Sequence, residues 1–117
     1  MTNLFFLAAA LAATQSEDTR APRALLDGQL LYTMCRQGDA GAKVPEAFCA
    51  GYIIGAIDSI EADRALADKN SCLPKGVQSE TLRDLAVKFL ESNPSLRDVG
   101  AAANVLLALI DAYPSCR

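Results

Sequence analysis

The residues of this chain best suited to chemistry are its four cysteines, Cys35, Cys49, Cys72 and Cys116. Thiolates hold zinc, carry electrons or join as disulfides. A four-thiolate zinc site brings its cysteines in pairs two to four residues apart, and a thioredoxin-like centre needs C-x-x-C. Neither spacing occurs, which leaves disulfides. The second candidate is Asp58, the single charge on a strip formed by Gly51, Gly55, Asp58 and Ala62, whose spacings of four, three and four align along one side of a helix. General acid–base catalysis needs a second group at a defined distance, and none converges on Asp58 by spacing. The chain has no His, so the commonest general base, the usual zinc ligand outside thiolate sites and any Ser-His or Cys-His pair are missing. No catalytic residue, metal ligand or cofactor is assigned, and the chain reads as a non-enzyme.

With 117 residues, 51% hydrophobic and 21% charged, the chain suits one globular domain and neither a disordered segment nor a multidomain enzyme. Eleven Lys and Arg against fourteen Asp and Glu give a net charge of −3. Phosphate-backbone binding requires a basic excess, so nucleic acid is excluded as the expected partner.

The first sixteen residues carry no charge, and the apolar run Leu4 to Ala13 has signal-peptide length, too short for a bilayer span. Ala10 and Ala12 supply the small residues that a signal peptidase accepts. The expectation is a signal peptide over 1–12, a flexible lead-in over 13–24 and a helical domain over 25–117. An apolar first helix is the weaker reading, because neither an amphipathic period nor a cap accompanies the run. Export places the cysteines in an oxidising compartment, where disulfides persist. The longest uncharged stretch elsewhere, 99–110, is well short of a membrane span.

These residues must be positioned by helices, since no sustained alternation of strand type occurs. A first helix is expected over 25–36 with Leu26, Leu30 and Met34 on one stripe. Gln37 to Gly41 reads as a turn, and Pro45 with Glu46 suits the first turn of a second helix over about 46–67. That helix carries Cys49, Ile53, Ala56, Ile57 and Ile60 on a broad face, with Glu61 and Asp63 towards solvent, and its apolar cover is nearly continuous, which suits a central element. Pro74-x-Gly76 predicts a tight turn with Pro74 at the second position. Ser79 is the expected cap of a third helix carrying Leu82, Leu85, Ala86, Phe89 and Leu90, ended by Asn93-Pro94. Asp98 is the expected cap of a fourth, lined by Ala102, Val105, Leu106, Leu109 and Tyr113 and stopped by Pro114. The fold class is therefore all-α, a small disulfide-stapled bundle of about four helices.

Short loops favour antiparallel neighbours in an up-down bundle. Cys35 and Cys49 then lie at one pole and Cys72 and Cys116 at the other. Of the three connectivities, only Cys35–Cys49 with Cys72–Cys116 keeps each bond at one pole. The glycines of the strip suggest close approach of another backbone, with the fourth helix as the leading candidate. Asp58 would then bond a backbone amide, a Tyr or an Arg. The other use of the strip is contact with a second copy or another protein.

Three segments carry a family resemblance: Leu30-Leu31-Tyr32-Thr33-Met34-Cys35; Cys49-Ala50-Gly51-Tyr52-Ile53-Ile54-Gly55-Ala56-Ile57-Asp58; and Cys72-Leu73-Pro74-Lys75-Gly76-Val77, followed by Asn93-Pro94 and Tyr113-Pro114-Ser115-Cys116. In this order they resemble the Tai-type immunity family over about 25–116. Its members are small periplasmic all-helical proteins that protect bacteria from type VI secretion effectors which cut peptidoglycan. The resemblance implies a stoichiometric inhibitor that blocks a cell-wall amidase, often as a homodimer, without turnover of its own. It also implies framework roles for Gly51, Tyr52, Gly55 and Asp58, beside the turn residues Pro74 and Gly76, and leaves the partner-binding residues unknown. A stapled periplasmic helical chaperone would share the size and compartment. A carrier of apolar ligands would need a cavity among Leu82, Phe89, Leu106 and Leu109, where a filled core is expected.

Overall fold

Asp27 starts the fold by accepting the Leu30 amide on its carboxylate at 2.8 Å, the usual N-cap geometry. In the computed structural model, which describes residues 23–117, α1 spans Gly28–Asp39, α2 Lys43–Leu66, α3 Ser79–Ser92 and α4 Ala101–Ala112. Single 3₁₀ turns follow at Pro94–Leu96 and Pro114–Cys116. The described residues form no strand beyond one isolated bridge between Asp27 and Gly100. The all-α class therefore holds. The apolar run at the N-terminus, its cleavage site and the lead-in as far as residue 22 lie outside the described residues.

Several boundaries differ from the sequence reading: α1 continues to Asp39 through most of the expected turn at Gln37 to Gly41, and α2 starts three residues early at Lys43, which leaves only residues 40–42 between them. Helix α1 begins three residues late because Asp27 is extended, with φ −91° and ψ 166°, and the Leu26 carbonyl is engaged by the Ala101 amide at 2.8 Å at the entrance to α4. Its buried face is Gly28, Leu31 and Cys35, whereas Leu30 is exposed and Leu26 and Met34 are half-buried. Gln78, not Ser79, sits at the cap of α3 and makes no side-chain bond there. Gly100, not Asp98, caps α4. The Pro74 carbonyl accepts the Val77 amide at 3.3 Å, so Pro74 takes the first position of its turn and Gly76 the third. That third position has φ of 74°, which glycine adopts without strain.

Helix α2 packs against all three other helices. Its inner face is Cys49, Ile53 and Ile57, with Ala56 and Ile60 half-buried against the core. The core centres on Leu31, Ile53, Leu90, Val105 and Leu109, each at most 1% exposed, and full burial of such side chains contributes roughly 1.5–3 kcal/mol apiece. Leu82 joins them.

The route of the chain departs from a plain up-down order. After α2 the loop turns back along the helix, with the Cys72 amide donating to Glu61 at 3.3 Å. Helix α3 consequently opens beside the start of α2, where Arg83 meets Glu46 at 2.6 Å. Helix α4 runs along the second half of α2, bringing Leu106 and Cys116 beside Ile60 and Arg64. Arg97 joins α1 to α3: its guanidinium lies 3.9 Å from the Tyr32 ring centre, and its Nε and Nη2 donate to Leu90 and Glu91 carbonyls at 2.7 and 3.1 Å. Those carbonyls end α3 and have no partner within the helix.

Candidate functional site

The cysteines form two disulfides, Cys35–Cys49 and Cys72–Cys116, and none is free. The first joins the last turns of α1 to the first turns of α2; the second fastens the loop after α2 to the 3₁₀ turn after α4. Twelve residues of α2 separate Cys49 from Glu61, which contacts Cys72, so the staples lie about 18 Å apart along the helix. All four half-cystines are buried, beyond ready thiol exchange. Ser115 supports the second staple, its hydroxyl donating to the Cys72 carbonyl at 3.3 Å.

The strip of Gly51, Gly55, Asp58 and Ala62 does not meet α4. All four residues are exposed, and a Cβ placed on Gly51 or Gly55 would have no atom within 4 Å. The glycines that admit another segment are on α1. A Cβ on Gly28 would lie 2.7 Å from Asn104 Nδ2, and one on Gly38 would lie 2.8 Å from the Glu46 Cα. Asp58 projects into solvent, with no hydrogen bond or ion pair to it among the described residues. The expectation that it would be bonded within the fold is thus corrected: α4 runs past the neighbouring face of α2, where Tyr52 lies beside Ala102 and Ile60 beside Leu106.

Helix α2 consequently presents an open face along its full length. Val44, Ala47, Phe48, Gly51, Ile54, Gly55, Ser59, Ala62, Ala65 and Leu66 are exposed on it, with Asp58 among them and Lys43 and Asp63 exposed at its edges. Val44 is 80% and Leu66 87% exposed, an apolar display that a soluble surface does not need. Phe48 and Tyr52 stack at 6.2 Å between ring centres. Tyr52 also borders a groove of about 540 Å³ walled by Leu25, Leu26, Val99, Ala102 and Ala103. The groove lies between the entrances to α1 and α4, next to the open face.

Two polar residues that sequence reasoning passed over fix the frame. The Arg83 guanidinium binds Glu46 through two bonds of 3.0 and 2.6 Å and reaches Asp39 at 2.7 Å and the Cys35 carbonyl at 3.4 Å. Hydrogen bonding to Glu46, aided by Asp39, holds its pKa above the usual guanidinium range despite the opposing effect of burial. Its signal was helical spacing, since positions 83, 87 and 90 share one face and the latter two are buried. Asn104, 1% exposed, donates from Nδ2 to the Leu96, Val99 and Gly100 carbonyls at 2.9, 3.3 and 3.1 Å. It sits among Ala101, Val105 and Ala108, where a polar residue on an apolar face was its signal.

These geometries support non-covalent docking. Among the described residues no three His, Cys, Asp or Glu side chains gather as metal ligands would, and no helix is long and apolar enough to cross a membrane. Comparison with known proteins gives one positive result. A family model described as Rap1a immunity proteins matches residues 27–116, from the Asp27 cap to the last half-cystine. No curated protein and no solved structure matches the chain.

Proposed function

The chain belongs to the Rap1a immunity protein family, and on that premise we propose that it is a periplasmic inhibitor of a type VI secretion effector which cleaves peptidoglycan as an amidase. As an immunity protein it binds a protein effector. The narrower assignment rests on the two motifs that resemble the Tai-type proteins, C-x-G-Y-I-x-G-x-x-D over Cys49–Asp58 and C-L-P-x-G-V over Cys72–Val77. In this reading the protein acts by occupancy, without turnover, and as a homodimer. Residues 1–12 direct export and are removed, and nothing membrane-bound remains.

The observation that carries the proposal is the pair of buried disulfides inside the family match. Pairing of every cysteine in a small domain is the habit of oxidising compartments, and peptidoglycan lies in one. Because one staple fastens the start of α2 to α1 and the other fastens the loop after α2 to the turn after α4, the inhibitor is preorganised before it meets its target, which reduces the ordering cost of association.

The test is co-expression of the full chain with exported candidate cell-wall amidases. One amidase should be neutralised and should co-purify with the protein at fixed stoichiometry, and the same amidase should lyse cells carrying a chain shortened by residues 1–12. Lysis by every candidate, with no complex recovered, would remove the amidase assignment. Weak retention of many unfolded proteins in place of one effector would favour a chaperone.

A further inference from the structure

We infer that the Asp27–Gly28 bond is a modification site, at which aspartate rearranges to isoaspartate once the joint between residues 26–29 and 97–101 parts, and that the closed joint holds the reaction off. Nothing in this depends on what the chain binds.

The chemistry needs only this chain and water. The Gly28 nitrogen attacks Cγ of the Asp27 carboxyl group. An N–Cγ bond forms, and the amide proton and the carboxyl hydroxyl leave as one water, giving a five-membered succinimide. Water then adds back. Opening of the ring at the main-chain carbonyl of Asp27 leaves the chain running through Cγ as isoaspartate, whereas opening at Cγ restores aspartate. A side chain on the following residue obstructs the attack, and glycine has none. Every other Asp of the chain is followed by a residue with a Cβ, and no Asn precedes Gly.

The fold itself brings this reactive pair together. Asp27 caps α1, its Oδ1 accepting the Leu30 amide at 2.8 Å. Gly28 is buried, and a Cβ there would fall 2.7 Å from Asn104 Nδ2 and 3.1 Å from the Arg97 Cα. Packing therefore fixes glycine at 28, directly after an exposed carboxylate.

The same joint opposes ring closure. The attacking Gly28 amide is committed to the Val99 carbonyl at 2.9 Å, and the Asp27 carboxylate to its cap. Closure also needs the Gly28 nitrogen eclipsed with Cβ about the Cα–C bond of Asp27, and the extended ψ of 166° holds it away. Rotation there breaks the Gly28–Val99 bond and disturbs its neighbours, Gln29 N to Arg97 O at 2.7 Å and Ala101 N to Leu26 O at 2.8 Å. Asn104 braces the other side through the Val99 and Gly100 carbonyls at 3.3 and 3.1 Å. Reaction thus proceeds from the parted joint, at the rate of an unfolded chain multiplied by the fraction of time that the joint is open. Isoaspartate adds one carbon to the main chain and moves the carboxylate, so neither the cap nor the pairing of 26–29 re-forms.

Ageing of the oxidised full chain in warm neutral buffer tests this, with isoaspartate at residue 27 measured by peptide mapping and electron-transfer fragmentation. A synthetic peptide of residues 23–33 sets the open rate. The native chain should isomerise at least about tenfold more slowly, and the chain in urea should match the peptide. Asn104→Leu, beside the joint, should speed the native reaction several-fold, whereas Arg83→Met, at the opposite end of α1, should not. After ageing in urea and dilution, isomerised wild type should exchange its Gly28 amide rapidly, and Asp27→Ser treated alike should not. A native chain that isomerises as fast as the peptide, or equal acceleration by Asn104→Leu and Arg83→Met, would overturn protection by the joint. Absence of isoaspartate at residue 27 in urea would overturn the site itself.

Discussion

Arg83 and Glu46, 37 residues apart in sequence, form a two-pronged ion pair in which Nε and Nη2 of the guanidinium each bind one carboxylate oxygen, at 3.0 and 2.6 Å. The Arg83 side chain is 11% exposed and that of Glu46 40%. The pair closes a triangle of α1, α2 and α3 next to the Cys35–Cys49 bond, since Asp39 and the Cys35 carbonyl lie on the same guanidinium.

Loss of this pair should loosen the end of the fold that carries the Cys35–Cys49 bond. Arg83→Met leaves Glu46 and Asp39 facing each other without a counter-charge, and a loss of about 2 kcal/mol is expected in urea unfolding, moderated by the partial exposure of the carboxylates. Arg83→Lys should recover only part of it, because an ammonium cannot reproduce the two-pronged geometry. A double-mutant cycle with Glu46→Gln should return a coupling that added salt diminishes.

Glycines on α1 and α2 should respond oppositely to the same substitution. Gly28→Ala drives a methyl group to 2.7 Å from Asn104 Nδ2 and 3.1 Å from the Arg97 backbone, at an expected cost of about 1–3 kcal/mol. Gly55→Ala meets nothing within 4 Å and should stabilise the dilute monomer by about 0.5–1 kcal/mol through helix propensity. Thermal melts of the two variants at low concentration distinguish them by sign.

The disulfides should be unequal. Cys72–Cys116 closes a sequence separation of 44 and Cys35–Cys49 one of 14. On the chain-entropy view they contribute about 4 and about 3 kcal/mol. Paired Cys→Ala variants should rank in that order in chemical denaturation, and the Cys72→Ala, Cys116→Ala variant should show faster amide exchange across the loop 67–78.

Asn104 should tolerate loss of its amide better than reversal of its charge pattern. Three carbonyl oxygens crowd its Nδ2, and its Oδ1 is buried without a partner. Asn104→Asp sets a carboxylate against those carbonyls and should destabilise by about 3 kcal/mol or more. Asn104→Leu should lose about 1–2 kcal/mol, since each carbonyl keeps a backbone donor: the Val99, Gly28 and Asn104 amides. Equilibrium unfolding of both variants checks the order.

Local signals made much of this molecule legible. The spacing of Leu82, Ala86 and Leu90 placed α3 correctly because one side of that helix is polar. Pro94 and Pro114 end their helices by removing an amide donor, an effect that depends on no distant residue. The disulfide pairing followed from helix order, which requires only the nearness of consecutive elements. Arg83 and Asn104 were harder to read, because a polar side chain declares itself structural only when its partners, 37 and 8 residues away, are known.

The sequence by itself determined four helices, their approximate limits and the partners of its cysteines, because periodicity, proline and glycine act within a few residues. It could not choose the covered side of α2. That helix is apolar nearly all round, so hydrophobicity alone would allow its neighbours to sit on any side. Only the tertiary structure decided: the loop after α2 turns back past Glu61, α3 docks at Glu46 through Arg83, and α4 takes the side of Tyr52 and Ile60. Gly51, Gly55 and Asp58 are left facing outward, because three short helices cannot enclose one of 24 residues.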